Sequence, residues 1–323
     1  MSKPRVCIVS PANAAANNGN WHTAARWQRF LAPVAEVNIA LAWNGEPADA
    51  LIALHARRSA ESISRFAQTR PDAPLALVLT GTDLYRDIDG DASALHSLKC
   101  ASHLVVLQDE GLTRLDAAAH AKARVIVQSA TALRVRSRAA TPVNLVAVGH
   151  LREEKDPLTL MSAARLLPAA TPIRIHQIGD SLDATLADAA RRTAATCPHY
   201  RWLGGLPRAQ ARRWIARSHA LVHMSRMEGG ANVVIEAVRS GVPVLASRID
   251  GNVGLLGRDY GGYFTVGDAP ALARAMQRLA NEPAYAAALT AQCALREPRF
   301  TPAAERHEVR RLLADMQESK PRQ

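Results

Sequence analysis

The chain of 323 residues is poor in aromatic side chains, at 4%, and poor in lysine, which supplies five of its forty basic residues. Both shortages bear on its formal charge of +11. A nucleic-acid footprint calls for a basic stripe interleaved with aromatic stacking platforms. Here the arginines are scattered over both halves, and the densest run, Arg134-Val135-Arg136-Ser137-Arg138, is short and without aromatic neighbours. No nucleic-acid partner is expected. The surplus reads as an arginine-biased surface, part of which would draw anionic substrates. Cysteine is scarce too. Cys7, Cys100, Cys197 and Cys293 lie far apart with no CxxC pair, which disfavours a disulfide framework or a zinc cluster and suits a reducing cytosol. Long apolar runs are absent: none approaches the eighteen or so residues of a membrane span, and Met1-Ser2-Lys3-Pro4-Arg5 leads directly into a strand. The expectation is a cytoplasmic monomer or homodimer with no transmembrane segment.

What is present is an ordinary globular composition, 48% hydrophobic and 21% charged, over a length that exceeds one core. Apolar strands alternate with helical stretches. Residues 5–10, 36–41, 50–54, 75–80, 103–107 and 124–127 read as strands, with helices at 21–31, 60–69 and 111–120. A polar, arginine-rich linker follows at 129–142. The alternation restarts with strands at 143–148, 173–178, 200–203, 220–223 and 242–246, and helices at 157–167, 182–196 and 208–218. Helical tails occupy 269–279, 284–295 and 301–316. This pattern predicts an α/β fold of two doubly wound, Rossmann-like domains, each with a parallel sheet covered on both faces. The domains expected are 1–140, 141–298 and a C-terminal helix, 299–323, that packs back on the first. Ligands of such sheets sit beyond the carboxyl ends of the strands, so a cleft between the domains is the expected site.

One stretch concentrates chemistry, from Met227 to Ser247. Gly229 and Gly230 let the backbone approach a ligand closely. Asn232 is the expected N-cap of a short helix whose free amides and dipole favour an anion. Gly241 stops that helix, Pro243 prevents its continuation, and a β-branched strand follows. Glu228 and Glu236 bracket the anion site without being able to bind the anion themselves. A ligand with a central anionic group and hydroxyls on both sides would use all three features, as a nucleotide diphosphate sugar does. The plainer alternative is a solvated carboxylate and a helix-surface residue.

Glu228 and Glu236 eight positions apart, with Gly229-Gly230, Asn232 and Gly241-Val242-Pro243-Val244, resemble the signature of the family 4 nucleotide-sugar glycosyltransferases of GT-B fold. Val148-Gly149-His150-Leu151-Arg152-Glu153-Glu154-Lys155-Asp156 and Trp202-Leu203-Gly204 are similar to two further segments of that family. More narrowly, Asn17-Asn18-Gly19-Asn20-Trp21, Leu79-Thr80-Gly81-Thr82-Asp83-Leu84-Tyr85-Arg86-Asp87 and the 248–257 segment look like the selenosugar synthases of selenoneine biosynthesis.

The resemblance implies that Glu236 binds ribose hydroxyls and Glu228 contacts the transferred hexose. It implies further that Gly229, Gly230, Ala231 and Asn232 lie near sugar and diphosphate, with Gly149, His150, Leu203 and Gly204 also on the donor side. Lys155 matches the phosphate-binding lysine. The family's arginine after the strand glycine is replaced by His150, and Arg152 stands two positions on as a partial substitute. Many relatives also carry a histidine where this chain has Thr80, and a hydroxyl cannot do the work of an imidazole near neutral pH. An acceptor that is already an anion, such as selenophosphate, needs no base. The narrow resemblance therefore implies transfer of N-acetylglucosamine or glucose from a UDP-sugar to selenophosphate, with catalysis by Glu228, Lys155 and Arg152 and with no metal.

Acceptor-side candidates are Gly19, Asn20, His22, Arg26, Thr82, Asp83 and Arg86. Gly19, Asn20 and His22 read equally as a turn and helix cap, and Thr82 and Asp83 as a helix start. The string Asp87-Ile88-Asp89-Gly90-Asp91 offers oxygens that suit a hard cation, but it reads as a turn and helix start. Three other functions remain open: an ordinary O-glycosyltransferase with a small-molecule or lipid acceptor, a UDP-sugar 2-epimerase-type isomerase, and a non-catalytic partner of the same fold that only binds a nucleotide or another chain, against which Glu228, Glu236 and Lys155 speak.

Overall fold

The computed structural model describes residues 3–13, 19–135, 139–181 and 183–318. Asn17, Asn18 and the arginines at 136 and 138 lie outside them. The first half runs β1 (Arg5–Val9), α1 (Gly19–Leu31), β2 (Glu36–Ala40), β3 (Ala50–Leu54), α2 (Ala60–Thr69), β4 (Leu75–Leu79), α3 (Thr82–Tyr85), α4 (Ala92–Cys100), β5 (His103–Val106), α5 (Ala117–His120) and β6 (Ala123–Val125). The second half begins with β7 (Val143–Val148), α6 (Pro157–Leu166), β8 (Ile173–Ile178), α7 (Ala184–Thr196), β9 (Tyr200–Trp202), α8 (Arg208–Arg217) and β10 (Ala220–His223). It continues through α9 (Asn232–Arg239), β11 (Val244–Ser247), α10 (Asp250–Leu256), β12 (Tyr263–Phe264), α11 (Ala269–Asn281), α12 (Pro283–Arg296) and α13 (Pro302–Glu318).

Both sheets are six-stranded and parallel, ordered β2-β1-β3-β4-β5-β6 and β12-β11-β10-β7-β8-β9. The doubly wound α/β architecture expected from the alternation is the one observed. The second sheet has the Rossmann order, its own first strand, β7, lying between its second and fourth. Its order therefore reverses between β7 and β10, and the loops after those strands open the crevice where such sheets take ligands.

By contacts the chain forms two compact units: Met1–Gln128 with Glu228–Gly230 and Pro302–Gln323, and Ser129–Met227 with Ala231–Thr301. In the first unit the period-two geometry of strands sorts the core. Cys7, Val9, Leu51, Ala53, Leu75, Leu77 and Leu79 face one side, against Ile63 and Phe66 of α2. Val6, Ile8, Ala50, Ile52, Ala76 and Val78 face the other, against Trp27 and Leu31 of α1 and Val309, Leu312 and Met316 of α13. Because β3 and β4 bury both faces, they read as unbroken apolar runs.

Some elements differ from expectation. The helix expected at 111–120 is broken into a 3-10 turn over Asp109–Arg114 and the short α5. Asp116 starts the second piece by accepting the Ala119 amide at 2.7 Å. The helix α10 and the strand β12 were not anticipated, and of α4 only the start, at the aspartate string, was. Within α4 the core-facing residues are Ala94 and Ser97, too small and polar to show an apolar period, and α10 carries two glycines. No described helix is long and apolar enough to cross a membrane.

Candidate functional site

At the strand reversal of the second sheet, one crevice is lined by Gly149, His150 and Lys155 after β7 and by His223, Met224 and Ser225 after β10. The Lys155 side chain passes beside Gly149, its Cδ 3.5 Å from where a Cβ there would stand. Arg152 is exposed, its side chain 56% accessible, with Nε 3.9 Å from Glu154. Leu203 is tied to the sheet through its amide, which donates to Gln177 at 2.8 Å, and Gly204 accepts the Gly179 amide at 2.8 Å.

The helix α9 starts one residue earlier than a cap at Asn232 requires. Ala231 is the N-cap residue, it makes no side-chain cap bond, and Asn232 is the first residue inside the helix. Asn232 as N-cap is thus corrected, and the first turn is left without a side-chain acceptor. The expected stop holds: Gly241 takes a left-handed φ of +67°. The Gly241 amide donates to Val238 and the Val242 amide to Ala237, the paired bonds of a Schellman motif. In the second turn Glu236 is buried, at 5% exposure. Its Oε1 accepts from Arg208 Nη2 at 2.8 Å and Nε at 3.2 Å, and Arg212 Nε stands 3.6 Å away. Burial lowers the Arg212 pKa, Glu236 opposes that shift and Arg208 adds to it, although a guanidinium stays protonated. Sequence reasoning missed both arginines. Their spacing of four on a helix that also buries Ala211 and Ile215 was the available signal.

In the first unit, the Glu228–Gly230 segment lies against the turn after β4. A Cβ on Gly229 would come within 2.5 Å of the Thr80 carbonyl carbon and oxygen, so only glycine fits. Asp83 organises that turn. It is fully buried and accepts the amides of Thr80 (2.9 Å), Gly81 (2.8 Å) and Ala56 (3.0 Å). Asp83 as an acceptor-side group is therefore corrected: main-chain amides hold both of its oxygens. Thr82 is half-buried, and its hydroxyl lies 3.0 Å from His55 Nε2.

His55, which the sequence did not single out, is 2% exposed with φ at +75°, an uncommon conformation for a residue with a Cβ. Its Nδ1 accepts the Arg58 amide at 3.3 Å. Burial holds its pKa below the usual value, Asp83 pulls the other way, and Arg58 adds to the lowering. Its position as the first polar residue after a fully buried strand was the signal in the sequence.

Arg26, expected on the acceptor side, lies between two helices of the first unit. It is 6% exposed on α1 and pairs with Glu305 of α13 at 2.7 Å, and the same carboxylate accepts Trp27 Nε1 at 2.8 Å. That guanidinium ties α1 to α13 through Nε, while its buried Nη2 has no hydrogen-bond partner among the described residues. Arg86 is half-exposed and donates to Asp87 at 3.3 Å. Gly19 opens α1, its carbonyl accepting the Thr23 hydroxyl at 2.8 Å, and Asn20 and His22 are half-buried in the first turn. The aspartate string is a turn and helix start: Asp87 pairs with Arg57, Asp89 with Arg114, and Asp91 caps α4 through Ala94. Among the described residues no group of three His, Cys, Asp or Glu is placed to hold a metal.

Solved structures share this fold. Sucrose-phosphate synthase from Thermosynechococcus elongatus superposes with a TM-score of 0.79 at 16% identity, over 98% of this chain and 100% of that one. Anabaena HepE in complex with UDP-glucose gives 0.73 at 14% identity, over 97% and 100%. A TarM of S. aureus in a complex containing UDP gives 0.67 at 14% identity, over 84% of this chain and 55% of that one, so the chain spans about half the length of TarM. No curated protein matches the sequence. The architecture is that of GT-B proteins, two parallel-sheet Rossmann-like domains, and residues 142–282 match the family model described as glycosyl transferases group 1.

Proposed function

We propose that the chain is a UDP-sugar-dependent glycosyltransferase that moves N-acetylglucosamine or glucose onto selenophosphate. The carrying observation is at the strand reversal of the second sheet. Lys155 and Gly149 follow β7 there, and the loop after β10 leads into a helix with an uncapped N-terminus and a buried Glu236 in its second turn. These are the anion-binding and hydroxyl-binding features a nucleoside diphosphate requires. The UDP bound to HepE and TarM, which share the fold, supports the same donor. In this reading Glu236 takes the ribose and Glu228 the hexose. Lys155, Arg152 and the α9 terminus take the negative charge that develops on the departing diphosphate, and no metal is needed.

Selenium attacks the anomeric carbon, the bond from that carbon to the diphosphate oxygen breaks, and its electron pair leaves with UDP. Water then cleaves the phosphorus–selenium bond, its oxygen going to phosphorus to release inorganic phosphate and leaving the selenosugar as its selenol. Support for this acceptor is Thr80 at the position where a base would activate a hydroxyl, together with the narrow resemblance of three segments. Incubation with UDP-N-acetylglucosamine and selenophosphate is expected to give a selenium-bearing sugar by mass spectrometry, and Glu228→Ala to lose most turnover. Efficient transfer to an alcohol and none to selenophosphate would end the acceptor assignment. An epimer formed without acceptor would end the transferase reading. Unchanged turnover in Glu228→Ala would remove that residue from catalysis.

A further inference from the structure

Arg208 and Arg212 sit one turn apart on α8, and both converge on one oxygen of a buried carboxylate. Arg208 gives Oε1 of Glu236 its Nη2 and Nε at 2.8 and 3.2 Å, and Arg212 Nε adds its charge at 3.6 Å. Arg212 is itself held at its other end, donating through Nη2 to the carbonyl of Thr131 and, at 3.1 Å, to its hydroxyl. Among the described residues, Oε2 of Glu236 accepts no hydrogen bond. Two cations about one carboxylate exceed what charge balance asks. Placing both at one oxygen leaves the other with its lone pairs free.

The terminal torsion of a glutamate is broad, so a free Glu236 would sample many orientations. The planar fork of Arg208 removes that freedom, and charge-assisted bonds of this kind are the strong ones. We infer that Arg208 and Arg212 are positioning residues that aim Oε2 of Glu236 at the vicinal hydroxyls of a bound nucleoside, and so set a preference for ribonucleotide over deoxyribonucleotide. The inference rests on the proposed role of Glu236 as the ribose-binding carboxylate.

Titration calorimetry of the full chain with UDP and with 2′-deoxy-UDP tests it. A hydrogen bond to a charged group is worth about ten-fold or more in affinity, so the wild-type chain is expected to favour UDP by about that factor. Arg208→Ala and Arg208→Lys are expected to reduce the ratio below about three-fold, by weakening UDP while 2′-deoxy-UDP changes little, because neither keeps the fork. A purely structural role would weaken both ligands together. A ratio preserved in Arg208→Ala with an unchanged melting temperature would overturn the inference. So would tighter binding of UDP to that variant, since Arg208 would then be competing with the ligand. Should Arg208→Ala not fold, Arg208→Lys carries the same comparison. Failure of the wild-type chain to bind UDP would sink the functional reading as well. A wild-type preference that no Arg208 variant alters would sink only the inference.

Discussion

Two buried carboxylates follow parallel strands in this molecule, and they are satisfied in opposite ways. Asp83, after β4, is held by main-chain amides on both oxygens: Gly81 on Oδ1, Ala56 on Oδ2 and Thr80 across the two. Glu236, in the helix after β10, is held by arginine side chains on Oε1 alone. A carboxylate saturated by amides belongs to the fold, because every ligand contact would strand a buried N–H. One held through a single oxygen keeps accepting capacity on the other. Burial and a strand-end position do not distinguish the two. Only the identity of the partners does.

The sharpest way to break this contrast is to remove each carboxylate in turn. Asp83→Ala leaves three amides without an acceptor in a fully buried turn, at a cost of about 3–5 kcal/mol in folding stability. A large fall in the urea midpoint at unchanged slope is expected. A loss below about 1 kcal/mol would show that water replaces the carboxylate and that Asp83 is less structural than its contacts indicate.

Sequence reading reached the parts of this picture that depend on neighbours in the chain. The strand at Leu75–Leu79 was legible because burial on both faces leaves no polar alternation, and the stop at Gly241 because a left-handed cap is local chemistry. What it missed joins distant residues. His55 meets Thr82 from 27 positions away, Arg208 meets Glu236 from 28, and Arg26 meets Glu305 from 279. The burial of Arg26 went unread for a physical reason. A charge on an amphipathic helix is ordinarily solvated, and nothing near it announces the partner that buries it. Asp83 was misread in a similar way, since an aspartate after a strand looks alike whether it faces a substrate or its own turn.

Glu236→Gln is the milder half of the contrast. Glutamine keeps a carbonyl oxygen for Arg208, so the stability loss expected is about 1 kcal/mol. Turnover should fall by at least about ten-fold, since a neutral amide accepts a hydroxyl proton less strongly than a carboxylate. A Glu236 variant that is as destabilised as Asp83→Ala, yet retains turnover, would reverse the roles assigned to the two acids.

The smallest expected effect is a slope. His55 packs on the turn that Asp83 organises. Asp83 and Asp87 each stand 4.0 Å from its ring, and the Arg57 and Arg58 charges oppose theirs. Burial lowers its pKa in the folded chain below the unfolded value of about 6.5. Between those two values the unfolded chain binds the extra proton, so stability rises with pH through that window and is lost as the medium is acidified below about pH 7. One proton contributes at most about 1.4 kcal/mol per pH unit. His55→Gln, which can still hydrogen-bond to Thr82, is expected to flatten the stability profile between pH 7 and 5 by up to that amount while changing stability little at pH 8. A variant whose acid sensitivity matches wild type would place the titrating group elsewhere and leave Asp83 as the sole organiser of the turn.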